Sequence, residues 1–234
     1  PTVTLSTSAS SVAENGSDLT LTATLNRQTF EDVTVTLTGS GTSTAGTDYA
    51  SLSTITINAG STTGTTTFNP TDDSVYEGNE TGIIAIDTVS GGGGGVTESG
   101  TQAVTITITD DESAPTVTLT TSASSIAENA GTSLTLTATL SGATNEDVTV
   151  GISTSGTGTE GTDYGTVSDI TIAAGATTGT TSFTPTDDTI YESNETGIIA
   201  IATVSGGSAT ENSTPQTQTL TITENDSVPT VTLT

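Results

Sequence analysis

The chain repeats itself. Pro1-Thr-Val-Thr-Leu5 returns as Pro115-Thr-Val-Thr-Leu119 and again as Pro229-Thr-Val-Thr-Leu233, 114 residues apart each time. Between these marks Ser8–Asn15 matches Ser122–Asn129, Gly46–Tyr49 matches Gly161–Tyr164, and Thr81–Ile86 matches Thr196–Ile201. One added residue near Gly131 moves the middle to a spacing of 115, and a later deletion restores 114. A period of that length is a domain, not one turn of a solenoid. The repeat predicts two domains, 1–114 and 115–228, with 229–234 starting a third. The joins, Asp110–Ala114 and Glu224–Val228, are short and acidic, and each is followed by Pro. A chain that begins at Pro1 rather than Met reads as a piece of a longer array.

Alternation fixes the class. In Leu19–Leu25, Val33–Leu37 and Val104–Ile108 an apolar residue stands at every second position, with Thr between most of them. Successive side chains on a strand point to opposite faces, so one face can be buried. Thr is β-branched and suits strands. Seven strands per repeat are expected, near 2–6, 19–25, 33–38, 54–57, 64–69, 82–89 and 102–109 in the first. No helical periodicity competes. The expected fold is all-β: two tandem immunoglobulin-like antiparallel β-sandwiches of about seven strands. Ile83–Ile86, a more continuous apolar run, is expected at the centre of a sheet. Gly91–Gly95 is expected as a hairpin loop at the end away from the acids.

Composition matters because it points the other way. Leu, Ile, Val and Phe make up just under one fifth of the chain, and 27 Asp and Glu face one basic residue, Arg27, for a net charge of −26. Those values border on disorder. Placing the few apolar residues at alternate positions is what lets them form a core. Cys, His, Met and Trp are absent. No disulfide, thiol or imidazole chemistry is available, and no His- or Cys-based zinc site. One cation cannot neutralise phosphates, which excludes nucleic acid as a partner. No apolar run is long enough for direct membrane insertion as a helix. Arg27 is expected to pair with Glu31 or Asp32.

Strand parity places the acids. In a seven-stranded sandwich the loops after strands 1, 3 and 5 and the exit from strand 7 share one pole. Those segments carry Glu14; Asp48; Asp72, Asp73, Glu77 and Glu80; and Asp110, Asp111 and Glu112. In repeat 2 they carry Glu128; Asp163; Asp187, Asp188, Glu192 and Glu195; and Glu224 and Asp226, with Asn225 between the last two. Converging carboxylates repel unless they protonate, spread apart or bind a cation. An all-oxygen donor set suits Ca²⁺, which takes six to eight oxygens in flexible geometry. Several ions per repeat are expected, with weaker or fewer ions in repeat 2.

Val12-Ala-Glu14-Asn-Gly16, Gly46-Thr-Asp48-Tyr49, Asp72-Asp73 with Glu77 and Glu80, and Thr109-Asp110-Asp111-Glu112 together resemble the Calx-beta domain, found in sodium–calcium exchangers, integrin β4 and large bacterial surface proteins. The resemblance covers both repeats. It implies calcium ligands at Glu14, Asp48, Asp73, Glu77, Glu80, Asp110 and Asp111. In repeat 2 it implies Glu128, Asp163, Asp188, Glu192 and Glu195, with Asn225 departing from the acidic pattern. The Thr-rich, Lys-free style is closer to repeats of bacterial adhesins than to exchanger domains. The expectation is an extracellular or cell-surface structural repeat, bacterial in style, stiffened by calcium. Its partners would be neighbouring repeats and other copies in a fibre.

Other functions are weaker. The alternative is an adhesive module binding a glycan or another cell-surface partner, but no specific feature supports it, and only three Phe and four Tyr are present. A carboxylate-pair glycosidase lacks any sign of a cleft, so no catalytic residue is assigned. Thr-x-Thr runs suit the outer face of alternating strands better than an ice-binding lattice. Sequons such as Asn79–Thr81 and Asn212–Thr214 arise by chance in so Ser/Thr-rich a chain.

Overall fold

A computed structural model describes residues 1–212 and 216–233. The chain divides into two compact units, Pro1–Glu112 and Ser113–Thr234. Repeat 1 contains β1 (Thr2–Thr7), β2 (Ser11–Ala13), β3 (Leu19–Leu25), β4 (Val33–Gly41), β5 (Ile55–Ile57), β6 (Thr63–Phe68), β7 (Val75–Tyr76), β8 (Glu80–Gly91), β9 (Thr97–Glu98) and β10 (Ala103–Thr109). One sheet runs β6-β3-β1-β9 and the other β2-β10-β8-β4-β5. Repeat 2 has the same two sheet orders in its own strands.

The alternation does what the sequence requires of it. In β3 every apolar residue, Leu19, Leu21, Ala23 and Leu25, is buried, and the Thr residues between them are not. The facing sheet supplies Val33, Val35, Ile55, Ile57, Ile84, Ile106 and Ile108 to the same core. Burying one such side chain contributes roughly 1.5–3 kcal/mol. Phe68 closes the acidic end of the core, stacked on Tyr49 at 4.8 Å between ring centroids. In repeat 2 Phe183 and Tyr164 stand 4.7 Å apart.

Three features depart from the sequence reading. The sandwiches are not wholly antiparallel, because β2 pairs with β10 and β9 with β1 in parallel. The chain leaves β1 at Ser8, whose hydroxyl takes the Thr20 N–H, and re-enters on the other sheet as β2. Ser8–Val12 carries no alternation, so nothing in it announced that switch. Arg27 makes no ion pair with Glu31 or Asp32 among the described residues. Instead Glu31 accepts the Gly93 N–H and Asp32 the Ala59 N–H. Val231 and Leu233 are fully or almost fully exposed, and 229–233 form no strand. Strand β1 is held by β3 and β9 of its own repeat, and 229–233 have no counterpart of these among the described residues. Thr234 and part of the Asn212–Thr214 sequon lie outside the described residues.

β8 lies between β10 and β4 and runs the length of the sheet. It starts at Glu80 and ends at Gly91, opposite Val33. Gly91–Gly95 therefore sits at the far end from the acids, and all five glycines have positive φ, which side-chain-bearing residues rarely adopt. At the acidic end β4 stops at Gly41, with φ +114°, where a Cβ would lie 2.1 Å from the Thr81 carbonyl oxygen. Gly156 repeats this against Thr196. The close approach pins the start of the loop that carries Asp48.

Candidate metal centre

Three sets of carboxylate oxygens converge in repeat 1, the atoms of each set within 4.8 Å of one another: Glu14, Asp110 and Glu112; Glu14, Asp72 and Asp111; and Asp48, Glu77 and Glu80. Repeat 2 brings together Glu128, Asp188 and Asp226, and separately Asp163, Glu192 and Glu195. The acids come from the β2 end, the loop after β4, the loop between β6 and β8, and the exit of β10.

Glu14 is the pivot of repeat 1. It belongs to two of the three sets and is only 7 % exposed. Its Oε1 is buried with no hydrogen-bond partner, as are Glu112 Oε2 and Asp226 Oδ2. Burying a carboxylate without a partner is costly. The carboxyl of Glu14 is pushed up to about 8, first by burial and then by the neighbouring Glu112, Asp110 and Asp111. Glu80 is pushed to about 7 by burial and by Asp48, Glu77 and Asp110. Glu195 is pushed to about 7 by burial and by Asp163 and Glu192.

In repeat 2 Glu128 is raised less cleanly. Burial drives it up, but the Asp188 N–H, donating to Oε1 at 3.0 Å, acts against that. A 3₁₀ turn at Glu128–Ala130, closed by Gly131 in the left-handed region, accompanies the added residue there. Glu192 and Asp226 are also raised by burial and by neighbouring acids.

Not every expected acid joins a set. Asp73 turns back to its own loop and accepts the Val75 N–H at 2.7 Å, leaving Asp72 to face Glu14. Asp188 makes the same kind of turn with Ile190 yet does reach Glu128, while Asp187 belongs to no set. Glu224 braces the loops instead. Its carboxylate accepts the N–H groups of Glu192 and Asp226, and these hold it below the usual carboxylate range. Asp110 does this in repeat 1, accepting from Glu77, Gly78 and Glu112, while also joining a set. The extra methylene of Glu224 lets it span the same loops in place of Asp.

Sequence reasoning missed the asparagines. Asn79 Oδ1 accepts the Asp110 N–H at 3.2 Å, and Asn194 Oδ1 accepts the Glu224 N–H at 3.0 Å. Asn15 Nδ2 donates to Asp111 Oδ2 at 2.6 Å. Their recurrence one period apart was the available signal. Replacing Asn79 with Ala should lower the melting temperature of repeat 1 by several degrees, since one net hydrogen bond is worth about 1 kcal/mol. Calorimetry on the variant checks this.

These oxygens fit a hard divalent cation. The donors are all carboxylate oxygens, several are buried without a partner, and no basic side chain balances them. The architecture is thus two sandwiches in tandem, each with acids from separate loops gathered at one end.

The model of the Calx-beta domain matches residues 110–226, half of the chain, and the chain belongs to that family. The model of the LapA domain matches residues 1–111. No curated protein matches the sequence. Among solved structures, CBD12 from CALX1.2 is 18 % identical over 95 % of this chain and 99 % of its own, with a TM-score of 0.43. The calcium binding domain CBD12 of CALX1.1 is 15 % identical, over 90 % and 95 %, with a TM-score of 0.39. The Yersinia pseudotuberculosis adhesin InvE is 14 % identical, over 94 % and 58 %, with a TM-score of 0.38.

Proposed function

We propose that the chain is a calcium-binding structural module of a longer extracellular repeat array. Glu14 carries the reading. It is a buried carboxylate with one unpartnered oxygen, placed where two groups of acids from three chain segments meet. Membership of the Calx-beta family supports it. In repeat 1 the ligands would be Glu14, Asp72, Asp110, Asp111 and Glu112, with Asp48, Glu77 and Glu80 as a further set. In repeat 2 they would be Glu128, Asp188 and Asp226, with Asp163, Glu192 and Glu195. Calcium, when bound, supplies the positive charge that these loops lack. The residues themselves tie the loop ends together, and Asp110–Glu112 lead directly into the linker at Ser113. Extracellular modules work at about 10⁻⁴–10⁻³ M calcium, so high affinity is not required. A surface location is supported by the match of residues 1–111 to the LapA domain and by tandem repetition. Among the described residues no helix is long and apolar enough to cross a membrane.

Small-angle scattering in calcium and in chelator tests the stiffening. The expected result is a narrower distribution of interatomic distances and a longer maximum dimension in calcium. Superimposable curves, with calcium binding shown separately, would leave the ions a role within each domain only.

A further inference from the structure

Repeat 1 carries an open cleft of about 420 Å³ between the end of β4 and the loop that follows it, lined by Leu37, Gly39, Ser43, Ala45, Tyr49 and Leu52 among others. It is not one of the acid sets. Repeat 2 fills the equivalent place with a side chain of its own. The two loops align through Gly41 and Gly156, which pair with Gly82 and Gly197 at the same register. The same offset places Thr154, Glu160, Tyr164 and Val167 where repeat 1 has Gly39, Ala45, Tyr49 and Leu52. In repeat 2 the carboxylate of Glu160 accepts the Thr154 hydroxyl at 2.6 Å and the Val167 N–H at 3.2 Å.

Repeat 1 keeps the backbone donor and loses both the Thr hydroxyl and the acceptor. Leu52 N–H takes the place of Val167 N–H, and no side chain accepts it among the described residues. Thr154 is replaced by Gly39, and a Cβ on Gly39 would lie 2.1 Å from the Tyr49 hydroxyl oxygen. The Tyr49 hydroxyl therefore occupies the place of the missing Thr side chain. Ser43, 6 % exposed with its hydroxyl unpartnered, stands where repeat 2 has Gly158. Ala45 leaves no carboxylate at the position that Glu160 fills in repeat 2.

We infer that this cleft of repeat 1 is a receptor for an aliphatic carboxylate from outside the repeat, taking the position that Glu160 fills in repeat 2. The apolar walls, Leu37 and Leu52, suit the methylene of such a group. The surrounding negative charge does not forbid it. Asp163 lies three residues from Glu160 and coexists with it, its own carboxylate held by the Thr159 N–H, and Asp48 is held by the Thr44 N–H in the same way. At physiological ionic strength charges beyond about 8 Å are largely screened.

The experiment is amide NMR on the whole chain at constant ionic strength. Acetate, the fragment that separates Ala from Glu, is titrated beside neutral acetamide and beside a short amidated peptide containing one Glu. Acetate should shift the Leu52 and Ala45 amides with half-saturation on the order of 10 mM, as expected for four heavy atoms. Tighter binding of the peptide would assign the acceptor to a protein side chain, and acetate binding without it would assign a free anion. Ala45→Glu should abolish the response by filling the cleft in cis. Should that variant not fold, Glu160→Ala is the reciprocal test: it should make the Val167 amide acetate-responsive and lower the melting temperature of repeat 2, with acetate restoring part of the loss. A Leu52 amide that is unmoved by both carboxylate probes, or moved equally by acetamide, would overturn the assignment. So would an unchanged acetate response in a folded Ala45→Glu variant.

Discussion

In saturating calcium the chain should melt about 10–20 °C higher than in chelator. A site held at one hundred times its dissociation constant stabilises the folded state by about 2.7 kcal/mol. For a domain of this size each kcal/mol moves the midpoint by about 4–8 °C. The gain should be larger in repeat 1. It offers three converging sets against two, and its Glu14 Oε1 is unpartnered, whereas Glu128 Oε1 already accepts the Asp188 N–H. Hydrogen exchange separates the repeats, with the amides of Ile84 and Ile199 reporting the opening of each central strand. Magnesium should do less, because its small octahedral shell is met poorly by so many carboxylates. Superimposable melting curves in calcium and chelator would sink the proposed function.

Much of this fold could be read from every second residue. The positions of β3, β4 and β10 follow from alternation, because a two-residue period admits one buried face and no other structure. Parity alone then brings Glu14, Asp48 and Asp110 to one end. What could not be read is decided by which donors lie within reach in three dimensions. Asp72 and Asp73 are identical in type and adjacent, yet only Asp72 faces Glu14, while in repeat 2 it is the second acid of the pair, Asp188, that reaches Glu128. That Glu224 braces two loops depends on the two backbone N–H groups that meet it, which residue type alone does not show. The move from β1 to β2 turns on Ser8, a residue without any periodic signature. Ala45 and Glu160 differ in a way the alignment shows plainly, but its meaning depends on Val167 and Thr154, seven and six residues from Glu160 in the chain.

Glu14→Gln should change sign with calcium. The carboxyl of Glu14 is pushed from 4.5 up to about 8, so the calcium-free fold prefers it protonated. A carboxyl raised on folding favours the folded state below its unfolded value and loses that contribution as pH rises through the folded one. The calcium-free chain should therefore lose stability between about pH 4.5 and pH 8. Glu80 and Glu195, each pushed to about 7, add to the loss in the lower part of that window. Gln keeps the shape and cannot ionise. In chelator the variant and the parent should melt alike near pH 4.5. By pH 8 the variant should be more stable by on the order of 2 kcal/mol, or about 10 °C in repeat 1. In calcium the order reverses, because the variant lacks the carboxylate common to two of the three acid sets and forfeits most of the gain in repeat 1. Calcium titrations in buffers of different ionisation enthalpy supply the second readout. Near pH 7 the parent should release about one proton more than the variant, since ligands must be deprotonated to bind. A variant that is less stable at pH 8 in both conditions, with equal proton release, would make Glu14 a packing residue and remove the pivot on which the calcium reading of repeat 1 turns.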